Sequence, residues 1–367
     1  MAYRSDDPTR RLQGPFTVPT LRGSWLTRGA EGRFSAYLMS DGEVLRWTEG
    51  TDGRWSGPVS LGGGGTLRPI LSLGQGVNRY VHMVGLRPVP DTEDHVELVH
   101  STQFQTGRPA VEWRSIQHSN GKSFPWTGNP AVAVDALGRA YIFTKNGGGG
   151  LSVRAQKDGG GWHPWWDLWG NRSDPSPVAV TNGEGFVELY SAKPEGLLRY
   201  EQQESGGKPV RHDVVPVPAP VTFGTLAAVT GSSGHVTLYY LDEEQRVCAW
   251  SPGRSLEPTP FLDAVGTGPL AATPCVVDGV ECTALAQQSA DGRLALVAFP
   301  AEEETAVTKW TETGEPRGPL TTTLAQGLDG GLVALTAADG PKGPLLLTMR
   351  QKTAADGFQL GAWQSLA

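Results

Sequence analysis

One unit of about fifty residues recurs along this chain, and no other feature of the sequence limits the fold so strongly. Its clearest copy, residues 21–63, reads as four short strands: an apolar run at 23–26, GRFSAYL at 32–38, VLRW at 44–47 and WSGPVSLGG at 55–63. Turns at Ser40-Asp41-Gly42 and Asp52-Gly53 separate them. A second copy, residues 129–171, runs through PAVAVD, GRAYIF and WHPWWDLWG. Fainter copies fill residues 67–117, 176–215, 224–262, 269–310 and 319–366. A lone four-stranded sheet of this kind cannot bury both faces, so each copy must pack against two neighbours and the series must close into a ring. The repeat therefore predicts an all-β chain: one seven-bladed β-propeller of four-stranded antiparallel blades, with residues 1–367 as a single domain.

Composition agrees and narrows the function classes. With 49 Gly and 28 Pro against 38% hydrophobic residues, punctuation is dense and apolar runs are short. No run approaches the roughly 18 apolar residues of a membrane helix, so no membrane partner is expected. The start of the chain lacks the apolar core of a secretory signal, which predicts a cytoplasmic protein. A net charge of -7 with no local run of Lys or Arg argues against nucleic acid as a partner. Cys248, Cys275 and Cys282 form an odd set without CxxC spacing, which suggests buried thiols rather than a disulfide framework or a zinc ribbon. No metal site and no cofactor is expected, since HExxH and Walker patterns are lacking and the glycine runs at 62–65 and 147–150 have no following lysine and helix.

Tryptophans mark the ends of the units. Trp55, Trp113, Trp162 and Trp363 begin or sit in the predicted fourth strand of their blades, where a large ring can fill the wedge between blades at the outer radius. The closing segments WSGPVSLGG (55–63), WHPWWDLWG (162–170) and GAWQSL (361–366) resemble those of the tectonin-like and Photorhabdus-lectin-like (PLL-like) family of bacterial β-propellers. The resemblance spans the chain in period and three blades in motif. It implies a lectin-like protein that binds glycans at several equivalent sites. Here no polar-plus-aromatic constellation repeats from blade to blade, so a single specialised site is expected instead.

Loop lengths say where that site should lie. In a propeller, the loops joining strands two and three and the crossovers between blades emerge on one rim. Residues 86–95 and 117–129 of blade two, and 147–150 and 169–175 of blade three, lengthen that rim. They bring Asp91, Glu93, Asp94, His95, His118, Asn120, Lys122, Trp126, Trp169, Asn171, Arg172 and Asp174 to one side. Trp126 is the expected stacking platform for a glycan or other polyhydroxylated ligand, with Asn120, Lys122, Trp169, Asn171 and Arg172 completing the site. Two alternatives stand beside a lectin. One is a single-site enzyme (cyclase, hydrolase or lyase) using His95 or His118 as acid–base with Asp94 or Asp174 as orienting carboxylate. The other is a protein-interaction scaffold. His82, in the predicted second strand of blade two, reads as a structural histidine. The sequence leaves open the substrate, the oligomeric state and how the N-terminal residues join the ring.

Overall fold

The computed structural model describes residues 20–23, 25–90, 95–119, 127–307, 309–318, 321–340, 343–352 and 357–366. Seven sheets follow one another along the chain, each containing four consecutive strands hydrogen-bonded in sequence order. Blade 1 is Leu26–Arg28, Phe34–Ser40, Glu43–Glu49 and Trp55–Ser60; blade 7 is Thr321–Gln326, Leu332–Gly340, Gly343–Arg350 and Gln364–Ser365. This is the seven-bladed propeller that the repeat predicts. Among the described residues the one helical segment is a single 3-10 turn, Glu304–Ala306, and no helix is long and apolar enough to cross a membrane.

Local chemistry sets the hairpins. Asp41-Gly42 and Asp278-Gly279 are two-residue connections with both φ angles positive, 51° and 74° in one and 51° and 75° in the other. Asp and Gly tolerate that left-handed backbone, and its twist matches the flanking strands.

The hydrophobic core lies in the wedges between blades. Alternation sends odd and even residues of a strand to opposite neighbours. Ala227 and Val229 of the inner strand of blade 5 pack toward blade 6, while Ala228 packs toward blade 4. Tyr190, Leu238 and Trp250 fill one wedge; Tyr141, Phe143 and Tyr200 fill another. Hydroxyls brace the inner strands to each other: Thr181 Oγ1 donates to the Val134 carbonyl at 2.7 Å and Thr230 Oγ1 to the Thr181 carbonyl at 2.7 Å.

Two details differ from the sequence reading. Blade 1's inner strand begins at Leu26, whereas Thr20–Gly23 leaves that blade and pairs in parallel with the inner strand of blade 2, Thr20 opposite Ile70 and Gly23 opposite Leu73. An apolar run announces a strand but not which sheet edge it joins. Trp162 lies outside the fourth strand of blade 3, which is Trp166–Asp167, and Trp113 and Trp363 stand one residue before theirs, Arg114–Gln117 and Gln364–Ser365; Trp162 forms an isolated bridge with Gln156 and packs into the wedge between blades 2 and 3.

Among the described residues the ring closes without a blade shared between the two ends of the chain. Arg28 Nη1 donates to the Gln326 carbonyl at 2.9 Å, Arg350 pairs with Glu49, and the Arg350 guanidinium stands 5.2 Å from the centre of the Phe34 ring. One apolar cluster runs through the joint, with Trp25, Phe34, Leu335 and Leu346 among its members.

Candidate functional site

The blade 3 to blade 4 crossover carries three of the six predicted ligand-binding residues together. Trp169 is 68% exposed, and its backbone takes φ +62° because its amide is held by Asp167 Oδ1 at 2.8 Å and its carbonyl by the Tyr200 hydroxyl at 3.2 Å. Asn171 and Arg172 follow it on the surface. Arg172 pairs with Glu195 at 3.2 Å, and Lys193 approaches the same carboxylate at 3.6 Å. A hydrogen bond from backbone N–H, with these two cations, holds the Glu195 carboxyl below its ordinary pKa. The neighbouring glycine run has a packing reason: a Cβ on Gly150 would stand 2.6 Å from the Gly170 carbonyl oxygen.

The remaining predicted residues divide. Asp91, Glu93, Asp94, Asn120, Lys122 and Trp126 lie outside the described residues. His95 is half-buried at the neck of its loop, its carbonyl accepting the Val89 N–H at 2.9 Å. His118 lies against Thr127, Nε2 to Oγ1 3.0 Å, and burial lowers its pKa. Asp174 belongs to the crossover, but its carboxylate is fully buried rather than turned to the rim. One oxygen accepts the Ser176 N–H and the other the Gly224 N–H, both at 2.8 Å. It braces two successive crossovers, a task for which an anion with two acceptors is well suited.

A concave site missed by the sequence reading opens between blades 6 and 7. It grows out of a device seen, among the described residues, at four blade junctions, where the tryptophan just before an outer strand donates its indole N–H to the end of the preceding blade. Trp113 reaches the Leu61 carbonyl at 3.0 Å, Trp165 the Ile116 carbonyl at 3.1 Å and Trp310 the Asp263 carbonyl at 2.8 Å. At the fourth junction Trp363 bonds instead to a side chain, Thr313 Oγ1, at 3.2 Å. A cavity of about 250 Å³ lies there, with Leu294 and Leu347 at its apolar wall and Thr336, Glu315 and Arg317 adding polar groups. Gly314, φ +78°, passes under the ring so closely that a Cβ would fall 2.9 Å from the indole nitrogen. The Arg317 N–H donates to the Gly292 carbonyl at 2.9 Å, and its guanidinium stands 3.7 Å from Glu315. An indole face, a guanidinium, a carboxylate and hydroxyls around a small cleft suit a compact ligand with one apolar face and several hydroxyls. The signal in the sequence was the polar crossover GEPRG at 314–318 opposite Trp363, a tryptophan read only as wedge filler.

No protein-family model and no curated protein matches this chain. Solved structures do. BP39L lectin from Burkholderia pseudomallei superposes with a TM-score of 0.73 at 13% identity, over 96% of this chain and 99% of that one. NanB sialidase from Streptococcus pneumoniae gives 0.54 at 9% identity, over 74% and 65%. SapL1 lectin in complex with alpha methyl fucoside gives 0.52 at 14%, over 81% and 94%. At such identities the likeness is one of fold, and this chain has a β-propeller fold that lectins and sialidases also use.

Proposed function

We propose that this protein is a carbohydrate-binding propeller that holds one sugar ring of a glycan in the cleft between blades 6 and 7. The observation that carries the reading is the cleft itself, where Trp363, Arg317, Glu315, Thr313 and Thr336 surround about 250 Å³. Drug-sized ligands use pockets of about 300–1,000 Å³, so this volume fits a single ring better than a long chain. Trp363 supplies the stacking face; Arg317 and Glu315 supply a donor pair and an acceptor for vicinal hydroxyls. The tectonin-like and PLL-like resemblance of the closing segments, and lectin propellers of the same fold, support the ligand class.

A second location for the same activity rests on Trp169. A ring 68% exposed beside the Arg172–Glu195 pair is the part of the predicted rim that the described residues carry.

Titration calorimetry with a panel of monosaccharides tests both. Arg317→Ala is expected to weaken binding by roughly ten- to hundredfold, the range for losing a charged hydrogen bond. Trp169→Ala should leave affinity within twofold. The reverse pattern moves the site to the rim, and no heat with any sugar ends the carbohydrate reading.

A further inference from the structure

The axis of the ring is the second place where this molecule can hold something. A cavity of about 370 Å³ lies there, walled by the inner strands of the blades, and among the described residues that line it none is Asp, Glu, Lys or Arg. Inner-strand side chains turn sideways into the wedges, so what an innermost strand presents to the axis is its free main-chain edge. Elsewhere part of that edge is capped, as the Val134 and Thr181 carbonyls are by threonine hydroxyls. The inner strand of blade 2, Ile70–Gln75, is capped by a whole strand. Thr20–Gly23 pairs with it and also touches the inner strands of blades 3 and 7, which places the segment inside the channel.

Space for this comes from blade 1, whose inner strand, Leu26–Arg28, has three residues where those of the other blades have four to seven. The segment is a fifth strand on the sheet of blade 2 and completes no blade's set of four. All seven blades have their four strands without it, and the closing contacts run through Arg28, Arg350 and Glu49.

We infer that the channel is a receptor for an extended peptide strand, recognised through main-chain pairing with Ile70–Gln75, and that Thr20–Gly23 is its resident intramolecular occupant. Strand addition to a free edge takes its affinity from backbone hydrogen bonds, so the neutral walls impose little choice by charge. A tethered segment competes with an outside peptide at an effective concentration of order millimolar, which keeps the channel closed to weak ligands. The channel and the blade 6–7 cleft are separate sites, so this inference is independent of sugar binding.

The test uses the full chain and a fluorescein-labelled peptide of residues 17–24, Thr-Val-Pro-Thr-Leu-Arg-Gly-Ser. Neighbouring residues of a strand point their N–H groups to opposite sides, so one of Leu21→Pro and Arg22→Pro removes a donor to blade 2 whatever the phase. At least one variant is expected to bind the peptide saturably by fluorescence anisotropy, at least tenfold more tightly than the native chain. A peptide with proline at both of those positions should not compete. Equal binding to native and variant chains overturns the inference, as does no binding to variants that melt cooperatively. Loss of the cooperative melt in both variants overturns it too, because the segment would then be part of the ring rather than an exchangeable occupant.

Discussion

His82 and His100 lie side by side with nearly parallel rings in the wedge between blades 2 and 3, ring centres 5.3 Å apart, with His82 Nδ1 3.0 Å from His100 Nε2 and the Trp162 ring nearly perpendicular to that of His100. They are 3% and 8% exposed, and burial pushes their pKa values down, to about 4 and about 3. Both stay neutral when folded, whereas the unfolded chain takes up protons near pH 6.5. The unfolded state therefore binds more protons below that pH, and stability falls as the solution is acidified from about 6.5 toward 4. Each histidine can contribute a slope of up to about 1.4 kcal/mol per pH unit. Urea midpoints between pH 7 and 4 should fall less steeply in a His82→Phe/His100→Phe chain than in the native one; identical slopes would remove the pair as the cause. The structural part of His82 was legible from its place in an apolar strand. Its partner was not, because pairing of residues 82 and 100 depends on strand register. Asp174 shows the same limit: its loop was legible, but a buried carboxylate and a solvated one look alike in sequence.

At the level of the element, the indole before the outer strand recurs as a latch between blades. Replacing Trp113 by Phe removes the bond to the Leu61 carbonyl together with part of a buried ring. The expected loss is about 1–3 kcal/mol, the cost of a buried acceptor left without its donor and of the space left behind, read as a lower urea midpoint with unchanged slope. A change in slope would mean that the wedge itself had opened. Strand count and blade limits were legible because period-two patterning and Asp-Gly turns act within a few residues. The latch was half-legible: the tryptophans stand out, but in blade 3 three of them crowd residues 162–166, and only the geometry picks Trp165 as the donor. The cleft between blades 6 and 7 was hidden for the same reason, since Gly314 and Trp363 are far apart in the chain and meet only across a junction.

For the whole molecule, the weakest joint should be the one between blades 7 and 1. Arg350 carries much of its polar bonding, yet its side chain is 44% exposed while Glu49 is 11% exposed. Screening limits the pair to roughly 1 kcal/mol, and removing the cation leaves a largely buried carboxylate behind. Hydrogen–deuterium exchange of Arg350→Ala should therefore speed up in blades 1 and 7 before blades 3 to 5; a uniform increase would show that the ring opens as one unit.

A ring closed, among the described residues, without a shared blade also sets the order in which surfaces find cover while the chain is being made. Blades 2 to 6 each gain a second neighbour as soon as the next fifty or so residues appear. The flank of blade 1 that carries Trp25 and Phe34 waits for Leu335 and Leu346, about three hundred residues later. At about 5–20 residues per second that is some 15–60 s of exposure for this flank before blade 7 covers it.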